Sequence, residues 1–171
     1  QNRKFLHPFY SAFDINPEYT GSFTASETPL KLDAKKGNTV EFWLKKSSFD
    51  VSNHKEVIFE VGTMPGKIAS QYSGKFRLFL SASSGSPFFI DYMSGSVGVN
   101  SKRIESTITT ASMSDNKWHH YAVTVKQLLP SNTLSILLYK DGAFAGASVR
   151  TNISMGPVDT YMAGTIGGNL G

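Results

Sequence analysis

From Tyr19 onward, hydrophobic side chains return at every second position in short runs, and each run is closed by turn-forming residues. Val57, Phe59 and Val61 fall on one face of such a run, with Glu56 and Glu60 on the other. Phe76, Leu78 and Leu80 oppose Lys75 and Arg77, and Leu134, Ile136 and Leu138 alternate in the same way. A two-residue period is the signature of a strand buried on one face. The pattern predicts strands over Thr20–Ala25, Thr39–Lys45, Glu56–Gly62, Lys75–Ser81, Phe88–Tyr92, Ile104–Thr109, Trp118–Lys126, Thr133–Tyr139, Phe144–Arg150 and Tyr161–Ile166. Lys-Lys-Gly-Asn, Met-Pro-Gly-Lys, Ser-Ser-Gly-Ser-Pro and Ser-Asp-Asn-Lys separate them as turns. Asp141-Gly142 between two alternating runs predicts a hairpin, because a type I′ turn needs positive φ at both central residues.

No stretch of ten or more residues combines a helical period with caps, and Gln127–Asn132, which contains Pro130, reads as a loop. About ten short strands so spaced predict an all-β fold, an antiparallel β-sandwich or jelly roll. Residues 1–19 show no clean period and carry two prolines. They are expected to form an arm or linker that docks through Phe5, Phe9, Tyr10 and Phe13, ahead of a sandwich domain over residues 20–171.

Composition narrows the function. The chain has 171 residues, 40% apolar and 18% charged, which suits one folded domain rather than a disordered segment. It contains no cysteine, so disulfides, thiolate metal sites and a cysteine nucleophile are excluded. The net charge of +4 comes from scattered cations whose only clusters are the doublets Arg3-Lys4, Lys35-Lys36, Lys45-Lys46 and Lys102-Arg103. That is not the basic stripe of a nucleic-acid binder. No apolar run approaches the roughly 18 residues of a membrane-spanning helix.

Five segments carry a resemblance. Lys117-Trp118-His119-His120-Tyr121-Ala122-Val123-Thr124-Val125 followed by Leu137-Leu138-Tyr139-Lys140-Asp141-Gly142 is similar to the paired central strands of laminin-G-like, concanavalin A-like domains. Gly21-Ser22-Phe23, Thr39-Val40-Glu41-Phe42-Trp43-Leu44-Lys45 and Ile166-Gly167-Gly168 agree in order with other strands of that family, and the resemblance spans about residues 19–171. The family's closing strand has no counterpart before Gly171. This implies that the last strand lies outside the chain or that the N-terminal arm takes its place. The stretch NTVEFWLKKSSFDVSNHKEVIFEVG also looks like domains of large multidomain virion proteins of marine bacteriophages.

The resemblance implies three kinds of site. Laminarinase- and β-glucanase-type relatives set catalytic carboxylates along one strand in a Glu-x-Asp-x-x-Glu pattern. A retaining pair lies about 5–5.5 Å apart and an inverting pair about 6.5–9.5 Å. None of the 13 Asp and Glu here stand two positions apart, and Asp14/Glu18 and Glu56/Glu60, four apart, are the closest pairs. The expectation is no enzyme, with Glu56 and Glu60 as solvated face charges. Calcium is the one cofactor the resemblance implies, at oxygen-rich loops containing Asp50 and Asn53, Asp115 and Asn116, or Gly168-Asn169. None of these loops has more than one carboxylate, whereas Ca²⁺ takes six to eight oxygens. A sugar platform would draw on Tyr92, Trp43 and Phe89, with Tyr72 as a further aromatic. Against this, the fold's habit puts Trp43 and Trp118 in the core and favours packing for Tyr92. His119 and His120, as strand neighbours, point to opposite faces and are read as hydrogen-bonded fold residues rather than joint metal ligands.

The resulting expectation is a non-catalytic module that binds a glycan, a cell-surface polysaccharide or another surface, in an extracellular protein or on a virion. Its alternative is a structural domain that packs against neighbouring subunits of an assembly. A glycoside hydrolase stands last.

Overall fold

The computed structural model describes residues 32–49, 55–63, 73–82, 85–158 and 162–167. The strand expected over Thr20–Ala25 and the arm over residues 1–19 lie outside these. The described residues form nine strands: β1 (Asn38–Lys45), β2 (Glu56–Thr63), β3 (Gly74–Leu80), β4 (Phe88–Ser94), β5 (Val97–Arg103), β6 (Trp118–Leu128), β7 (Thr133–Lys140), β8 (Ala143–Arg150) and β9 (Met162–Ile166). They pair into a four-stranded sheet ordered β1-β6-β7-β8 and a five-stranded sheet ordered β5-β4-β3-β2-β9. Every pairing is antiparallel. This is the all-β sandwich that the alternation predicts.

The core lies between the sheets. Tyr121, Val123 and Val125 of β6 and Leu134, Ile136 and Leu138 of β7 meet Phe76, Leu78 and Leu80 of β3 and Phe88, Ile90 and Tyr92 of β4. Each fully buried aliphatic side chain stabilises the fold by about 1.5–3 kcal/mol relative to exposure. β1 shows how the pattern is realised. Val40, Phe42 and Leu44 pack on the core, while Thr39, Glu41, Trp43 and Lys45 look outward. The β7–β8 hairpin turns at Asp141-Gly142 with φ of 51° and 80°, as its sequence requires.

Two expectations fail locally. Ile104–Thr109 is not a strand. It crosses from one sheet to the other, with Ile104 N–H donating to Phe88 O and Thr107 N–H to Ala145 O, and it buries Ile104 and Ile108 on the way. It then enters a four-residue helix, α1 (Thr110–Met113), whose N-cap Thr109 and Ser112 form a reciprocal capping box. The edge strand of that region is instead Val97–Arg103.

The second failure is in β2. A bulge between Val57 and Phe59 pairs Val57 with outward-facing Phe79 but Phe59 with inward-facing Leu78. Val57 therefore does not share a face with Phe59 and Val61. Glu56 aligns with inward-facing Leu80 and forms an ion pair with Lys46 at 2.5 Å. Glu60 faces outward but is only 2% exposed, so it is not a solvated charge.

Candidate functional site

The two sheets present different outer faces. On the five-stranded sheet, Glu60, Arg77 and Asp91 lie in one cross-strand row. Arg77 holds Asp91 through Nη2 at 2.5 Å and Nε at 2.8 Å, and the Ser101 N–H donates to the other carboxylate oxygen at 2.6 Å. Glu60 Oε1 lies 3.5 Å from Lys75 Nζ, while its Oε2 is buried without a hydrogen-bond partner. Next to this row Phe79 and Phe89 stack at 5.5 Å, with Lys55 and Arg77 over the Phe79 ring and Arg103 over the Phe89 ring. Cations and neighbouring rings already take up these aromatic faces.

The outer face of the four-stranded sheet is open. Trp43 is 65% exposed, Trp118 62% and Phe144 63%. The register places Trp43 opposite His120 and Lys45 opposite Trp118, so the two indoles are diagonal neighbours on one face. The Trp43 and His120 rings lie 5.4 Å apart, and His120 Nε2 is 3.6 Å from Glu41. The next row runs Glu41–Ala122–Tyr139–Phe144, with Tyr139 and Phe144 edge-to-face at 5.9 Å. Small side chains, Ala122 and Thr124, then form the floor. At the far end a shallow groove of 280 Å³ is lined by Lys36, Thr39, Thr124, Lys126, Ser135 and Leu137, among others.

The sugar-platform residues are therefore not brought together. Tyr92 is 1% exposed and lies between the sheets, with its phenol donating to Asn38 Oδ1. Burial, and then nearby Asp33, raises its pKa well above that of a free phenol. No face of its ring is open to a ligand. Phe89 is on the outside of the opposite sheet, beneath Arg103. Trp43 is open to solvent, which corrects the expectation that it and Trp118 pack in the core. Their neighbours carried the signal: Trp43 alternates in phase with Thr39, Glu41 and Lys45, and Trp118 with His120, Thr124 and Lys126. Tyr72 lies outside the described residues.

The histidines behave as strand neighbours should. His119 sits between two carboxylates, with Nδ1 2.6 Å from Asp141 Oδ2 and Nε2 2.9 Å from Asp115 Oδ2. The Asp115 bond, then the Asp141 bond, raises the His119 pKa. In return, Asp115 is lowered chiefly by its bond to His119, and Asp141 chiefly by the His120 backbone N–H and then by His119. Tyr121 beside them is pushed up to about 12 by burial, with Asp141 and Asp115 adding to it.

The Asp115–Asn116 turn does not fit a calcium site. Asp115 Oδ1 accepts the Lys117 N–H and Oδ2 is bonded to His119, while Asn116 shapes the turn at φ 59°. Among the described residues no group of three His, Cys, Asp or Glu is disposed to hold a metal. Asp50 and Asn53 lie outside the described residues, as does Gly168-Asn169.

Two antiparallel sheets packed around one core make a sandwich of the jelly-roll type, and the sequence assigns the chain within that class. It belongs to the concanavalin A-like lectin/glucanases superfamily, whose laminin-G-type model matches residues 18–169. Comparison with curated proteins gave no match.

Proposed function

We propose that the domain is a non-catalytic carbohydrate-binding module whose ligand lies across the outer face of the four-stranded sheet. One observation carries the reading: Trp43 and Trp118, both mostly exposed, stand side by side on rigid strands with the His120 ring beside them. Soluble domains seldom leave two adjacent indoles in water without a partner, and flat rings suit the apolar faces of sugars. Glu41, Lys45 and His120 supply polar groups at the rim for hydroxyl hydrogen bonds. A polysaccharide ligand goes with an extracellular or surface setting.

Catalysis is disfavoured by the state of the carboxylates. Glycoside cleavage needs one carboxyl held as an acid and a second beside it, both open to substrate. Asp115 and Asp141 are both lowered by their hydrogen bonds, so neither is poised as an acid. Glu60 and Asp91 are buried, and Asp91 is locked on Arg77.

The second reading, a structural domain packing against neighbouring subunits, is favoured by the continuation of apolar exposure onto β8, where Val149 joins Phe144. A glycan array separates the two. Array binding that is abolished in a folded Trp43→Ala variant supports the carbohydrate module. An empty array together with self-association that Phe144→Ser abolishes supports assembly.

A further inference from the structure

The groove at the far end of the aromatic face carries two cations, whereas the aromatic corner sets Lys45 on the same face as Glu41 and His120. Lys36 and Lys126 stand on its rim, no carboxylate is among its described lining residues, and Thr39, Thr124 and Ser135 place hydroxyls along its wall. Lys46 is committed to Glu56 and Lys75 to Glu60, whereas neither Lys36 nor Lys126 is ion-paired among the described residues. The groove is fixed by backbone. Gly37 gives the turn before β1 its φ of 93°, a conformation that residues with a side chain rarely adopt, while a Cβ there would meet Val125 O and Lys126 Cβ only at ordinary contact distances of 3.6 and 3.7 Å.

The position relative to the indoles matters. Thr39 and Thr124 lie four residues along their strands from Trp43 and His120, and Lys126 lies six from His120. At about 3.3 Å per residue these spans are about 13 Å and about 20 Å. Ala122 and Thr124 keep the path between them low. A linear glycan stacked on Trp43 and running along the strands would end with its substituents between the two lysines.

We infer that the ligand is an acidic polysaccharide, and that Lys36 and Lys126 bind its anionic group, a carboxylate or a sulfate, with help from the groove hydroxyls. Two ammonium groups beside hydroxyl donors form a site that favours an oxyanion over a neutral chain, because charge-assisted hydrogen bonds to an anion are stronger than those to sugar hydroxyls. Glu41, the acidic residue on this face, stands at the aromatic end, where it is engaged by His120. The inference rests on the carbohydrate-module reading and names the class of its ligand.

Affinity electrophoresis in gels containing laminarin (neutral), alginate (carboxylate) or dextran sulfate tests it, with four proteins: wild type, Trp43→Ala, the double variant Lys36→Ala/Lys126→Ala, and a charge-matched control, Lys55→Ala/Lys102→Ala, on the opposite sheet. The expected result is at least tenfold tighter retardation of wild type by alginate or dextran sulfate than by laminarin. The groove variant should lose that preference, the control should keep it, and Trp43→Ala should weaken every gel. The acidic gel that retards most identifies the group. Equal retardation by laminarin, an unaffected groove variant, or an equal loss in the control overturns the inference while leaving the module reading intact. No retardation of wild type in any gel overturns both. Circular dichroism of each variant separates lost binding from lost fold.

Discussion

The phenol of Tyr92 on β4 donates to Asn38 Oδ1 at the start of β1, so one hydrogen bond ties the five-stranded sheet to the four-stranded sheet. Asn38 Oδ1 also accepts the Asp33 N–H at 3.1 Å, so it keeps a partner if Tyr92 is shortened. Tyr92→Phe should therefore cost about 1 kcal/mol of stability and leave glycan binding unchanged. Urea unfolding and a binding assay on the same variant check both halves. Lost binding with retained stability would restore Tyr92 as a ligand residue.

Trp43→Ala and Trp118→Ala should behave in the opposite way. Both side chains are mostly in water, so each substitution should move stability by no more than about 0.5 kcal/mol, while binding falls sharply. A large drop in melting temperature for either variant would mean that the indole packs more than its exposure implies.

The Asp115–His119–Asp141 bridge gives the fold a defined pH dependence. The raised His119 contributes stability that is fully present below its unfolded value near 6.5 and is lost as pH rises through the higher folded value. The lowered Asp115 and Asp141 contribute above their unfolded value of 3.8 and lose that contribution as pH falls through the folded values. The bridge is exposed and solvent screens it, so the effect is modest. Wild type should exceed His119→Asn in melting temperature most between about pH 4 and pH 6.5, with the gap narrowing by pH 9. A gap independent of pH would remove the charge from the explanation.

Gly146→Ala tests the crossover between the sheets. A Cβ there would lie 2.1 Å from Glu105 O and 2.5 Å from Ser106 Cα, and both are backbone atoms. The Ser106–Gly146 bridge must open to admit it. The expected cost is about 1–3 kcal/mol, measurable by chemical denaturation. Gly142→Ala, with nothing within 4 Å but φ at 80°, isolates backbone strain from collision.

Much of this fold is legible in the sequence because a strand buried on one face must alternate. Leu134, Ile136 and Leu138 could only point one way, and Asp141-Gly142 could only turn. The bulge in β2 was not legible: one extra residue, Ile58, moves Val57 and Glu56 to the other side without disturbing the apparent period. Ile104 and Ile108 mimic a strand because a segment that crosses the core rim also buries alternate side chains. At the candidate site, the habit of the resembled fold puts Trp43 and Trp118 in the core, whereas the phase of their polar neighbours places them outside. Lys36 and Lys126 come together only through the β1–β6 register, which depends on pairing between distant segments.

The indoles that face solvent are mounted on β1 and β6, which are paired along the whole of β1 from Asn38–Val125 to Lys45–Trp118. Under the proposed function, a surface held this way needs little rearrangement to bind, so capture of a glycan orders little of the protein itself. Differences among ligands should then appear chiefly in how long each stays rather than how fast each arrives.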